Sequence, residues 1–189
     1  MEQGTRISGH STNVQRTSDK VSLRIDKTMA ALNTLINKPS GSLGSDFTHF
    51  SDKFSSLKSG YSDLRNEVSR VSKERVAYMV SWQKQIQKIT NSDIQAAAKS
   101  NYANAQSDFS RFTQRANSTE TSGGRLISYL DNMKKYLSTD LSSSGIQGAS
   151  SLLGKANSRA AQFKHDLGKL GDDATRLSND LKPMAGTSQ

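Results

Sequence analysis

Apolar residues recur at alternating spacings of three and four along most of the chain. The pattern falls into four stretches, and short polar segments rich in Ser, Gly or Asn separate each stretch from the next. Such spacing places the apolar side chains on one narrow stripe of an α-helix, which other helices must cover. The sequence therefore predicts an all-α protein in which long helices pack along their apolar stripes.

Local signals predict the ends of these helices. Pro39 ends the first helix, because the residue before a proline is pushed out of the α region. Ser45 and Asp46 suit the start of the second helix, since an oxygen acceptor and a negative charge both favour a helix amino terminus. The predicted helices are residues 12–38, 45–89, 92–141 and 144–182, within one bundle domain of residues 11–183. Residues 1–10 and 184–189 are predicted to be flexible tails, and Gly123-Gly124 leaves a kink or break in the third helix open.

Short connections force successive helices to lie antiparallel, in up-down-up-down order. At about 1.5 Å per residue, the second and third helices are about 65–75 Å long, whereas the first is about 40 Å long. The sequence thus predicts an elongated antiparallel four-helix coiled-coil bundle. The hairpin of the second and third helices would protrude from it as a two-helix arm over residues 70–112.

The end of this hairpin is the predicted contact site. Two helices cannot enclose both faces of a tryptophan, so apolar surface should remain exposed there and mediate self-association or binding of a protein partner. The apolar residues of this predicted site are Met79, Trp82, Ile86, Ile89 and Ile94. Trp82 lies in register with the stripe, so ordinary core packing is the alternative for this residue.

Arg75 occupies a stripe position between Val71 and Tyr78. A charge there costs stability unless its aliphatic stem is buried with the head group in water, or unless it is paired. We expect Arg75 to fix the register of two helices, and a recognition contact is the alternative.

The formal net charge is +9, but basic and acidic residues are interleaved and form no basic run. This distribution indicates a solvated helix surface, and we expect no specific binding of nucleic acid. The alternative is attraction to an anionic membrane surface or polymer, worth about 1 kcal/mol for each basic residue close to such a surface. The candidate residues for that contact are Arg6, Arg16, Lys20, Arg24 and Lys27.

The inventory of chemical groups predicts a non-enzymatic protein without metal or cofactor. Cysteine is absent, which excludes thiolate metal sites and disulfides. A di-metal carboxylate bundle needs Glu-x-x-His pairs, and no glutamate here has a histidine three residues later. Asp46, His49 and Asp52 share one helical face, but a solvated first helical turn is favoured over a metal site.

Three segments, taken in order, carry a resemblance to a known family. They are residues 31–37, residues 82–86 with 91–94, and residues 136–141 followed by Ile146. They resemble a bacterial helical family catalogued as a domain of unknown function, family 2959. The resemblance implies an exported, coiled-coil-rich protein located in the periplasm or outer envelope. The sequence as it stands begins without the apolar region of a signal peptide, and no run of residues is apolar enough to span a membrane.

Overall fold

The computed structural model describes residues 2–37 and 42–181. Within those ranges the chain forms four helices and no strand, which confirms the predicted all-α helical bundle. The helices are α1 (Glu2–Asn37), α2 (Leu43–Gln87), α3 (Ser92–Thr139) and α4 (Ser143–Leu181). Pro39, Lys182 and the tail predicted at residues 184–189 lie outside the described residues.

Polar side chains cap the amino termini of α2, α3 and α4. The hydroxyls of Ser42 and Ser142 each accept a hydrogen bond from the amide three residues later, at 3.4 and 3.3 Å. The Oδ1 atom of Asn91 accepts hydrogen bonds from the amides two and three residues later, both at 3.0 Å. These acceptors satisfy backbone donors that have no partner inside the helix, which fixes where each helix begins.

Helix α1 begins at Glu2, so the tail predicted at residues 1–10 is wrong for residues 2–10. Ile7 is fully buried, and the buried Ser8 places its Oγ atom 2.9 Å from Oγ of Ser178 in α4. The stripe of α1 continues toward the amino terminus through small hydroxyl side chains such as the buried Ser11. A search for apolar residues alone misses this continuation.

The contacts divide the described residues into two compact units, and each unit contains a segment of all four helices. Unit 1 comprises residues 2–16, 65–117 and 169–181 of the described chain, and unit 2 comprises residues 17–64 and 118–168 apart from the undescribed residues 38–41. The contacts of α1 with α2 in unit 2, and of α2 with α3 in unit 1, show helices that run in opposite directions. In unit 2, for example, Arg24 contacts Ser56 while the later Thr28 contacts the earlier Lys53.

The core of unit 2 depends on a close approach at Gly123. A Cβ atom at this buried position would lie 2.5 Å from Cε2 of Tyr61 in α2 and 2.8 Å from Cζ of Phe163 in α4. The two rings meet edge to face with centroids 5.7 Å apart. Helix α3 continues through Gly123-Gly124 without a break. The glycine at position 123 is required by the close packing of Tyr61 and Phe163, and it does not mark a flexible point in the chain.

The core of unit 1 extends further along α2 than the sequence predicts. Val71, Phe109 and Phe112 are buried, with Val71 fully so. Gly4 of α1 packs against Tyr78, since a Cβ atom at Gly4 would lie 3.5 Å from Cε2 of that ring. A free hairpin that begins at residue 70 is therefore wrong, because α1 begins earlier than expected and covers more of α2.

We expect Gly123→Ala to lower the free energy of unfolding by about 1–3 kcal/mol, the usual cost of forcing atoms into a packed core. Gly124→Ala is the matched control. Its Cβ atom would have only the Tyr61 hydroxyl within 4 Å, at 3.8 Å, so the better helix propensity of alanine should stabilise the protein by about 0.5–1 kcal/mol. Urea unfolding followed by circular dichroism measures both, and equal effects of the two substitutions would contradict this packing.

Candidate interaction site in unit 1

The tip segment, which we define as residues 79–101, carries the candidate site at the turn between α2 and α3. Of these residues, all of which the structure describes, Ile86 alone is buried. Ile94 is 60% exposed and Val80 is 49% exposed, and Met79, Trp82 and Ile89 are partly exposed. The tip segment thus presents large apolar side chains to solvent on ordered helices.

Side chains also fix the turn itself. Asn91 caps α3, and the Nε2 atom of Gln95 donates hydrogen bonds to the carbonyl oxygens of Ile89 at 3.0 Å and Ile86 at 3.4 Å. The Ile86 carbonyl also accepts a hydrogen bond from the Ile89 amide at 3.1 Å, so Gln95 of α3 is tied to the turn that closes α2. The apolar residues beside the turn are therefore held in a defined arrangement.

An aromatic cluster joins α2 to α3 at the base of the tip segment. The ring of Trp82 lies 5.6 Å from that of Tyr78 and 5.6 Å from that of Tyr102, measured between centroids. The ring centroids of Tyr78 and Phe109 are 6.4 Å apart. Burial raises the pKa of the Tyr78 hydroxyl above its ordinary value. The contacts with Tyr78 and Tyr102 hold the Trp82 ring in position. Because Trp82 is only partly buried, its ring still reaches solvent.

The structure divides the predicted apolar contact residues into two groups. Met79, Trp82, Ile89 and Ile94 are accessible, but Ile86 is only 5% exposed and belongs to the core, which corrects its assignment as a contact residue. Two exposed apolar residues on α2, Val76 and Val80, are not among the contact residues predicted from the sequence. Their spacing could have identified them, because Val76 and Val80 are four residues apart and so share a helix face outside the apolar stripe.

Arg75 links α2 to α3 within unit 1. Its Nη1 atom donates a hydrogen bond to Oγ1 of Thr113 at 3.2 Å, and that hydroxyl donates to the backbone oxygen of Phe109 at 2.9 Å. Arg75 is half-buried, and its charge lies against a neighbouring helix with a hydrogen-bond partner instead of unpaired in the core. This geometry suits a residue that fixes register.

The five basic residues considered for anionic surfaces fall into different units. Arg6 and Arg16 lie in unit 1, and Lys20, Arg24 and Lys27 lie in unit 2. Arg6 contacts Glu74 at 3.9 Å, and the Nη1 atom of Arg24 donates to the backbone oxygen of Ser56 at 2.8 Å. Lys20 and Lys27 are exposed.

The possible metal ligands at the start of α2 differ in their environments. Asp46 is buried, whereas His49 is exposed. Among the residues that the structure describes, no group of three or more His, Cys, Asp or Glu side chains is arranged to hold a metal ion.

A pair of carboxylates lies where α3 and α4 meet in unit 1. Partial burial and the charge of Asp108 raise the pKa of Asp180 above its ordinary value, while Arg176 and Arg111 partly offset this effect. The Nη1 atom of Arg111 lies 3.4 Å from Oδ1 of Asp108. The two carboxylates therefore repel each other between flanking arginines.

Comparison with known proteins identifies the family. The chain belongs to the family described as "Protein of unknown function (DUF2959)", which it matches over residues 9–179, as its resemblance to that family predicts. No curated protein matches the chain significantly, and neither does any solved structure. No helix in the described part of the chain combines the length and apolar character needed to cross a membrane.

We expect Asp180→Asn to raise the melting temperature at neutral pH and to leave it unchanged well below pH 3.8, the ordinary pKa of the group. A raised pKa in the folded state means that protonation stabilises the fold. This contribution is complete below the unfolded-state pKa and is lost as pH rises through the folded-state pKa. The effect should stay below about 1 kcal/mol, because the group is exposed and solvent screens it. Thermal unfolding across pH tests this, with the exposed Asp172→Asn on the same helix as control. A gain confined to acidic pH would contradict it.

Proposed function

We propose that this family member is a non-enzymatic interaction module of the bacterial envelope that binds a protein partner through its tip segment. The observation that carries the proposal is the exposure of large apolar side chains on the ordered helices of that segment. Single exposed apolar residues are common on protein surfaces, but several close together usually mark a contact site.

The charges of the tip segment favour a different protein over a second copy of this chain. The tip segment contains three lysines and one acidic residue, all of them exposed: Lys84, Lys88, Lys99 and Asp93. Two such basic segments would repel each other, since like charges at an interface oppose association. The partner that fits this segment has an apolar patch bordered by acidic residues.

Location in the periplasm or outer envelope is supported by the resemblance to exported proteins of this family, which residues 31–37, 82–86 with 91–94, and 136–141 followed by Ile146 carry. Fractionation of cells that express the full-length native gene tests this part of the proposal. Recovery in the periplasmic or membrane fraction supports it, and recovery with cytosolic enzymes contradicts it.

A second candidate function is peripheral binding to an anionic surface, which a basic groove in unit 2 favours. Arg24, Lys27 and Lys53 line this groove of about 190 Å³, together with Asp52 and Ser56. Vesicles with and without phosphatidylglycerol, sedimented with the protein at rising salt, test the idea. Binding that requires the anionic lipid, falls with salt and is reduced by Lys27→Glu would favour this candidate, whereas unchanged binding to neutral vesicles would reject it.

We expect a photo-crosslinking amino acid at position 94 or position 80 to form a covalent adduct with one protein in the cells that make this chain. Position 23 in unit 2 is the matched control, because Leu23 and Ile94 are both 60% exposed. Sedimentation equilibrium of the purified chain shows whether the chain self-associates, and a monomer excludes a second copy as the crosslinked protein. Equal adducts from positions 23 and 94, or none from the tip segment, would contradict the proposal.

The double substitution Val80→Ser and Ile94→Ser should remove that adduct when the crosslinker is placed at position 89. It should shift stability by no more than about 0.5 kcal/mol, since both side chains are largely exposed in the free protein. Melting temperature and helicity serve as controls for folding. Retained crosslinking by a fully folded double variant would exclude these side chains from the interface.

A further inference from the structure

A groove in unit 1 lies between the base of the tip segment and the last turns of α4. Its volume is about 640 Å³, and α2, α3 and α4 each contribute to its walls. Trp82 forms one side, and Leu177 and Leu181 of α4 line the groove although both are almost completely buried. This volume is in the range of small-ligand sites, and polar side chains make up most of the lining.

One polar face of α3 lines this groove. Asn101, Asn104, Asp108 and Arg111 follow one another at spacings of three, four and three, which places them on the same side of the helix. Asn179 of α4 lines it as well. All three asparagines are exposed, so their amides, each of which can both donate and accept, are open to solvent or to a ligand.

The aromatic wall is held in place before any ligand arrives. Tyr78 and Tyr102 both lie 5.6 Å from the Trp82 ring between centroids, and Trp82 is still partly exposed. A fixed aromatic ring offers an apolar face at little cost in conformational entropy. Amide groups beside such a ring suit a ligand that has both C–H faces and hydroxyl groups.

The charges in and beside the groove nearly cancel, which favours a neutral ligand. Asp108, Asp180 and Arg111 line the groove, and Arg176, which is not a lining residue, acts on Asp180 from nearby. The arginines would repel a strongly cationic ligand, and the carboxylates would repel a strongly anionic one.

We propose that this groove binds a neutral oligosaccharide, with one sugar ring stacked on Trp82 and its hydroxyl groups bonded to the asparagines of α3 and α4. The site is separate from the apolar contact surface of the tip segment, apart from Trp82, which borders both. Either function can therefore fail in an experiment while the other remains.

Trp82 is the only tryptophan in the chain, so intrinsic fluorescence reports on the groove directly. The full chain should be titrated with three neutral tetrasaccharides, namely tetraacetylchitotetraose, cellotetraose and maltotetraose, and calorimetry should follow binding independently of fluorescence. We expect saturable binding of at least one of them. Asn104→Ala combined with Asn179→Ala should weaken that binding at least tenfold, and Trp82→Ala should abolish the calorimetric signal while Trp82→Tyr retains it.

Asn66→Ala is the matched control, because Asn66 is an exposed asparagine of α2 in unit 1 that does not line the groove. This variant and the Val80→Ser, Ile94→Ser variant should bind the tetrasaccharide as tightly as the unmodified chain. No saturable binding of any of the three tetrasaccharides would overturn the proposal. Saturable binding of spermidine or of inorganic phosphate alone would also overturn it, because the groove would then select a charged ligand.

Discussion

Each of the two units is held together by apolar side chains that a single helix cannot bury. In unit 2, Phe50 and Phe54 are fully buried and stack with centroids 6.1 Å apart. In unit 1, Phe109 and Phe112 have the corresponding role, at 2% and 1% exposure. Where all four helices contribute, these aromatic rings are almost completely buried. Residues 79–101 come from α2 and α3 alone, so their apolar side chains reach solvent, and both the proposed contact surface and the groove lie where the coverage ends.

The four-helix fold could be predicted from the sequence because the stripe spacing of three and four repeats over long stretches. The start of α1 could not, since Ser8 and Ser11 occupy buried positions with side chains that count as polar. The Ser8 hydroxyl is satisfied by Ser178 of α4, whereas the small Ser11 hydroxyl is buried without a hydrogen-bond partner among the described residues. Gly123 was interpreted as a weak point for a similar reason. Its role depends on Tyr61 and Phe163, which only the folded chain brings beside it.

The candidate site was partly predictable for physical reasons. Helix lengths alone indicated that α2 and α3 extend beyond their neighbours, and Trp82, Met79, Ile89 and Ile94 are accessible in the folded chain. The groove was not predicted. The polar spacing of residues 101–111 is visible in the sequence, but the groove also needs the end of α4, which lies some seventy residues later in the chain. Only the packing of α4 against α3 makes that polar face one wall of a groove.

Unit 1 is built from segments near both ends of the described chain, and this limits how early the unit can form during synthesis. This unit combines residues 2–16 with residues 169–181, and the hydroxyls of Ser8 and Ser178 meet across a separation of 170 residues. Such non-local contacts form late, because the chain between them must be made first. The α2–α3 hairpin therefore leaves the ribosome long before α4 can complete unit 1. During that interval Val71, Phe109 and Phe112, all buried in the finished unit, belong to a core that still lacks its α4 segment.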